Sequence, residues 1–206
     1  MPFSIQEFAG RRPWLYHLTA ANNITAIRRR RELLSTYRLL TECHSKRDAR
    51  KRRRESIRRT LGGQHIVIRD QAPLHEGNIR LADGFTFADL VELLNRHVFF
   101  WNGTDAGASD FGQRYYNRYR AEQPAMIRLP TSALLHSEPL FCGYNSGAPR
   151  CSGGQRSPRG PDLFLPAEGF PRTLKHVVEV VVPRRVTLPH AAEWRTGPAS
   201  DWRRLF

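Results

Sequence analysis

Apolar and polar positions change period several times along the chain, and each change predicts an element. Residues 15–19 form a short apolar run with His17 inside it, which predicts a strand. Asn22 or Asn23 is placed to cap a helix starting near Ile24, with Ile24, Ile27 and Leu34 facing inward. Residues 65–69 (HIVIR) alternate and predict a second strand. Phe87, Leu90, Val91 and Leu94 recur at the spacing of one helix face. Thr86 and Asp89 stand before that face as a capping box, so a helix ending near Asn95 follows. Residues 98–101 (VFFW) read as a buried strand, and Asn102-Gly103-Thr104 as the turn after it. Residues 111–120 suit a polar, tyrosine-rich helix, and residues 126–129 a short strand. Residues 140–169 are rich in Gly, Pro, Ser and Arg and read as one long loop. Residues 177–182 (VVEVVV) are the strongest strand in the chain, of a kind covered on both faces. The tail from 189 to 206 carries Trp194 and Trp202, which could dock it on the body. Many short strands, few helices and no alternation of strand and helix point to the α+β class in a single domain.

Charge changes this picture. The 206 residues hold 33 Lys+Arg against 19 Asp+Glu, a net charge of +14. Most of that excess lies in the first 60 residues. Residues 46–59 alone carry nine basic and two acidic side chains, and Arg28, Arg29, Arg30 and Arg31 form a second run. Unpaired charge at that density is costly to bury, so both runs are expected at the surface, as a helix face or a mobile loop, the first as an extension of a second helix that Gly62-Gly63 stops. A solvated, solubilising segment is one reading. A site for phosphates is the other, and it is favoured because like charges held together call for a counter-charge. No stretch is long and apolar enough to span a membrane. No signal-peptide core opens the chain, and Cys43, Cys142 and Cys151 form no even framework, so a reduced, cytoplasmic protein is expected. No HExxH, Cys/His cluster, GxSxG or phosphate-binding glycine loop occurs, so no metal is expected.

The candidate chemistry centres on Glu179. A carboxylate amid five valines is costly to desolvate unless something pairs with it or uses it. An edge strand or a salt bridge to an arginine is the structural alternative. His17 and Thr19 share a face of the first strand and would present two hydrogen-bonding groups to one space. His17 could equally be a satisfied core residue. Arg69 closes the HIVIR strand beside Asp70, where a surface pair is the alternative. Tyr115 and Tyr116 are either core or a stacking surface for a flat ring.

Taken together these motifs resemble a known family. Leu15-Tyr16-His17-Leu18-Thr19, with Asn22/Asn23, Ile24, Ile27 and Leu33-Leu34-Ser35, resembles the opening of the DNA-targeting (DarT-like) ADP-ribosyltransferase toxins. Val178-Glu179-Val180-Val181-Val182-Pro183 resembles their closing strand, which carries the catalytic glutamate. Val98-Phe99-Phe100-Trp101 is similar to the middle strand of the wider ADP-ribosyltransferase fold. LNRHVFFW, YNSGAPR and VVEVVVP together also resemble an uncharacterised bacterial family related to these toxins. Glu32 stands where the toxins have the glycine of a turn, and the insertion at 46–59 is not a feature of theirs.

The resemblance implies two small, mostly antiparallel sheets forming an NAD cleft. Glu179 and Arg69 would be catalytic. His17, Thr19, Asn23, Phe100, Tyr115 and Tyr116 would hold NAD. Arg28 to Arg31, with Arg50, Lys51, Arg52, Arg53 and Arg54, would bind a nucleic-acid acceptor, DNA in preference to RNA. The implied reaction transfers ADP-ribose to a base and releases nicotinamide. A toxin role in bacterial defence, with an antitoxin as partner, comes from the same resemblance. An RNA 2′-phosphotransferase of the same fold, a non-catalytic nucleic-acid-binding module and a transferase with a protein acceptor are the competing readings.

Overall fold

The computed structural model describes residues 3–147, 158–198 and 200–206. Cys151 lies outside the described residues.

The chain is α+β and its strand pairs are antiparallel. The strands are α1's successors in order: after α1 (Ile5–Arg11) come β1 (Trp14–Ala20), α2 (Ile24–Arg30), β2 (Glu32–Leu34) and α3 (Thr36–Glu42). The hairpin β3 (Ile57–Leu61) and β4 (Gln64–Ile68) follows. Next come α4 (Phe87–Asn95), β5 (His97–Thr104), β6 (Gly107–Ala108) and α5 (Asp110–Arg118). The last elements are β7 (Pro124–Pro130), β8 (Leu140–Cys142), β9 (Glu179–Pro183), β10 (Arg185–Thr187), β11 (Glu193–Arg195) and β12 (Arg203–Arg204). One large sheet runs in the order β12-β11-β7-β1-β5-β9-β8, with β6 paired to β5. β10 with β2, and β3 with β4, form separate two-stranded ribbons. The strands therefore divide into one large sheet and two ribbons, not into the two small sheets that the resemblance implied.

Alternation sorts the large sheet's side chains. Leu15, Val98, Phe100, Ile127, Val180 and Val182 point into the main core, which α1 closes with Phe8. Tyr16, Leu18, Phe99, Trp101, Val181 and Glu179 belong to the opposite face, where α4 and α5 pack. β9 lies between β5 and β8, so its valine run is covered as expected and the edge-strand alternative for Glu179 is excluded.

Several local signals fold as read. Thr86 and Asp89 form the reciprocal capping box on α4. The tail docks: β11 and β12 extend the sheet beyond β7, and Trp194 and Trp202 pack on the body. Others do not. Asn23 makes no side-chain cap on α2. Asn102, Gly103 and Thr104 remain inside β5, because Asn102 and Gly103 pair with β1 and Gly103 and Thr104 with β6. The long loop contains β8, which pairs with β9.

The basic segment differs most from expectation. It forms a short 3-10 turn over Lys46–Arg50, then an irregular stretch, then β3. Gly62 and Gly63 do not stop a helix. Both have positive φ, 55° and 77°, and make the two-residue turn between Leu61 and Gln64.

Candidate active site

The seam between β1 and β5 is where the sheet opens. Their pairing covers only Trp14, Leu15 and Tyr16 against Gly103, Asn102 and Trp101. Beyond Tyr16, β1 stays with β7 while β5 stays with β9. His17 occupies the divergence. Its Nδ1 lies 2.9 Å from the carbonyl oxygen of Phe99, an acceptor that the parting strands leave open. Phe100 packs against the imidazole from the core side at 5.8 Å. With Nδ1–H donating to that carbonyl, Nε2 is left as a bare acceptor. Enclosure of the ring, and secondarily the charge of Arg69, lower the His17 pKa to about 4.

A cavity of about 520 Å³ fills this opening. Its wall includes His17, Arg69, Tyr115 and Glu179, which are separated by up to 162 positions in sequence. A smaller cavity of about 150 Å³ adjoins it, sharing His17, Leu18, Leu34, Thr36 and Arg69. The larger volume is of the size that binds small molecules.

Glu179 stands opposite Trp101 on β5 and Cys142 on β8, and is only 4% exposed. The Ser146 backbone N–H donates to its Oε2 at 3.1 Å. Asn145 shapes that loop, its Oδ1 accepting from the Gly147 N–H at 3.1 Å. Burial raises the Glu179 pKa to about 7, against the opposing pull of Ser146 and Arg159. At neutral pH this carboxyl is poised between acid and base, the condition proton transfer favours.

An aromatic wall runs from Glu179 towards Arg69. Trp101 contacts Tyr115 at 5.0 Å, Tyr115 contacts Tyr119 at 5.0 Å, and the Arg69 guanidinium lies 4.3 Å over the Tyr119 ring. Gly112 lets α5 come this close, since a Cβ there would meet Ala108 Cβ at 2.8 Å and the Trp101 side chain at 3.3 Å. Arg69 Nη2 donates to the Thr19 carbonyl at 2.8 Å. Its Nε and Nη1, and the Trp101 indole nitrogen, are buried without a hydrogen-bond partner among the described residues. Donors left in that state are costly unless a ligand supplies acceptors.

The profile of a family of unknown function, DUF7002, matches residues 13–192. The chain belongs to the DUF7002 family. No curated protein and no solved structure matches it.

The structure places the sequence-read residues of this DUF7002 chain as follows. Glu179, Arg69, His17 and Tyr115 meet in the larger cavity. Thr19 and Asn23 lie in the smaller one, where they bond each other: Asn23 Nδ2 donates to Thr19 Oγ1 at 2.9 Å. Phe100 is a correction: at 1% exposure it belongs to the main core, and its neighbour Phe99 lines the cavity, because the strand alternates. Tyr116 is another. It is buried on the far side of α5, where its hydroxyl donates to the Thr196 carbonyl at 3.0 Å.

The basic run does not form one phosphate-facing surface. Arg50 pairs with Asp89 at 2.7 Å and Glu92 at 2.8 Å, Lys51 with Asp48 at 3.1 Å, and Arg30 with Glu42 at 2.7 Å. Arg31 caps α2 in the left-handed region and lies over Phe206. Arg52 donates to the Gln71 and Ala72 carbonyls. Arg53 turns inward to the cavity, against the expectation that such residues stay at the surface. Arg28, Arg29 and Arg54 are exposed.

Sequence reading missed Trp101, Arg53, Asn95 and Ser146 as parts of the wall. Only the β5–β9 register pairs Trp101 with Glu179, and no local pattern encodes it. Among the described residues no group of His, Cys, Asp and Glu is arranged to hold a metal ion, and no helix is long and apolar enough to cross a membrane.

His17 leads to a prediction about acid. Its folded pKa lies below the unfolded value of 6.5, so the unfolded chain takes up a proton first as pH falls. The stability that His17 contributes is present above pH 6.5 and is lost as pH falls towards 4. Thermal unfolding between pH 7.5 and 4.5 is expected to show a smaller loss of Tm for His17→Gln than for the parent.

Proposed function

We propose that this protein is an NAD-dependent ADP-ribosyltransferase that modifies nucleic acid, with a base in DNA as the favoured acceptor. The observation that carries the reading is the convergence of His17, Arg69, Tyr115 and Glu179 on one cavity. The resemblance implied these four among eight residues for catalysis and NAD, and they lie far apart in sequence. The unpartnered donors on Arg69 and Trp101 fit a ligand rich in phosphate and carbonyl acceptors.

Each residue then has a defined task. Tyr115 offers a ring face on which a flat heterocycle stacks. The bare Nε2 of His17 accepts from a ribose hydroxyl. Arg69 faces phosphate oxygens. Glu179, ionised, accepts from the ribose hydroxyl nearest the reacting carbon. It also stabilises the positive charge that develops when the glycosidic C–N bond breaks and its electron pair leaves with nicotinamide. The acceptor nitrogen or oxygen then bonds to that carbon, and Glu179 takes the proton it sheds.

The net charge of +14 and the exposed Arg28, Arg29 and Arg54 support a polyanionic acceptor. Labelled NAD incubated with the protein and, separately, with single-stranded DNA, duplex DNA, RNA and protein extract is expected to give an ADP-ribose adduct on DNA. An adduct on protein alone would move the acceptor, and no nicotinamide release from folded protein would sink the transferase reading.

One further observation favours a second reading. Arg53, Arg69, Arg114 and Arg118 all line the cavity, and such a basic set suits an RNA 2′-phosphotransferase. Removal of a 2′-phosphate from RNA in the presence of NAD, without a DNA adduct, would identify that activity.

A further inference from the structure

The chain leaves β8 at Cys142, opposite Glu179, and four residues later Ser146 returns to the same carboxyl. Two contacts hold this return. Asn145 Oδ1 accepts from the Gly147 N–H at 3.1 Å, and the Arg159 guanidinium lies 4.2 Å over the Tyr144 ring. Ser146 is only 1% exposed and lines the cavity together with Glu179. Its N–H reaches Glu179 Oε2 at 3.1 Å. Its Oγ is buried with no hydrogen-bond partner among the described residues. A buried hydroxyl in that state is costly, and this one sits on the residue whose nitrogen already serves a carboxyl.

The protonation state of that carboxyl accounts for the idle hydroxyl. A protonated carboxyl carries a donor of its own and asks less of its surroundings. An ionised carboxylate only accepts, and it has two oxygens to satisfy. The Ser146 N–H serves one site on Oε2. Rotation of the side chain between its staggered positions carries the hydroxyl towards the same group. Its influence is already felt there. Burial raises the Glu179 pKa, and the Ser146 hydroxyl and then the N–H draw it back down. The other charged and titratable groups around the carboxyl are Arg159, Cys142 on β8, Arg114 and Tyr115 on α5, His17 on β1 and Arg69 after β4. Arg159 acts through its charge, and less strongly than Ser146.

We infer that Ser146 is the positioning residue of Glu179, its N–H holding one carboxyl oxygen and its hydroxyl turning onto the carboxylate when the proton leaves. Oε2 is thereby engaged by the protein, and Oε1 is left for the substrate. The hydroxyl's bond is gained only in the ionised form, so it favours that form and lowers the pH at which Glu179 works as a base. The catalytic use of that base rests on the transferase reading; the contact with the carboxyl does not.

The test follows Glu179 itself, without turnover. Full-length protein labelled with carbon-13 at the glutamate carboxyls is titrated by NMR, with Glu179→Gln to assign the resonance. In the parent the midpoint should lie near the value of about 7. Ser146→Ala keeps the N–H and deletes the hydroxyl, and should raise the midpoint by about one pH unit. Ser109→Ala deletes another buried hydroxyl without a partner, outside the cavity wall, and should leave the midpoint in place. If Ser146→Ala does not fold, Ser146→Gly replaces it with the same expected rise. An unchanged midpoint in a folded Ser146 variant overturns the inference, as does an equal rise in Ser109→Ala. With NAD as substrate, Ser146→Ala should be about fivefold slower than the parent at pH 7, since the ionised fraction falls from about a half to about a tenth. The rates should converge at a pH where both carboxyls are ionised, with KM little changed. A loss of rate that is constant across pH makes Ser146 a structural residue and overturns the inference. If the midpoint rises in Ser146→Ala while the parent leaves labelled NAD intact, the positioning contact stands and the transferase reading falls. If NAD is cleaved and the midpoint does not move, the inference falls alone.

Discussion

Glu179→Gln is expected to abolish nicotinamide release while making the protein more stable in alkaline solution. The two effects have one cause, the burial of a carboxyl at the centre of the sheet. For catalysis, glutamine keeps the size and the acceptor oxygen but carries no charge to stabilise the developing cation and takes no proton from the acceptor. Loss of a single such electrostatic contact typically costs about 10²–10³ in rate. In the parent, the rate should climb with pH through the Glu179 pKa of about 7 and level off above it.

For stability the sign is opposite. The folded pKa of Glu179 lies above its ordinary value of 4.5. Its contribution is therefore fully present below pH 4.5 and is lost as pH rises through 7, because the folded state must give up a proton that it holds tightly. Glutamine resembles the protonated acid and escapes that loss, by roughly 2–3 kcal/mol above pH 8. Calorimetric scans at pH 5 and pH 8.5 should show similar Tm values at the lower pH and a Tm several degrees higher for Glu179→Gln at the upper. A lower Tm for the variant at pH 8.5 would make Glu179 a structural partner of Arg159 and remove it from the candidate site.

How far the sequence carried the reading follows from where each signal is stored. Glu179 was legible because a charge among β-branched residues conflicts with its own neighbours, and the conflict is visible within six positions. The capping box of α4 was legible for the same local reason. Trp101 was not, since its partner Glu179 is set by a register between strands 78 positions apart. Tyr115 and Tyr116 could not be separated by composition; Tyr115 lines the cavity against Trp101, whereas Tyr116 reaches the Thr196 carbonyl. Arg53 was misread for a physical reason. A density of charge argues for solvent only while each charge lacks partners, and here Asn95 and the Arg69 carbonyl supply them. Local pattern thus located several of the elements and one anomalous residue, while the opening of the β1–β5 seam that turns them into a site is a property of the pairing.

Asn23→Ala is expected to be among the most destabilising single changes in the chain, although Asn23 was read as a helix cap and a contact to NAD. Its side chain behaves as a short strand. Oδ1 accepts from the Val67 N–H at 2.8 Å, and Nδ2 donates to the Val67 carbonyl at 2.8 Å and to Thr19 Oγ1 at 2.9 Å. One amide group thus satisfies both backbone groups of a residue in β4 and holds the β3–β4 hairpin beside the end of β1. Alanine leaves both Val67 groups and the Thr19 hydroxyl without these partners, at a cost of about 2–4 kcal/mol. Asn23→Asp is expected to lose less, because Oδ1 still accepts from Val67 while the donor is gone. Arg69 follows β4 directly and reaches the Thr19 carbonyl across the same junction, so the hairpin's attachment fixes the cavity's cationic wall. Amide hydrogen exchange should then show Asn23→Ala opening β4 well before the large sheet. Uniform loss of protection across β1, β5 and β9 would make Asn23 a core residue of the whole fold, and unchanged protection in β4 would mean that the hairpin is held by its apolar contacts with α2 and α3.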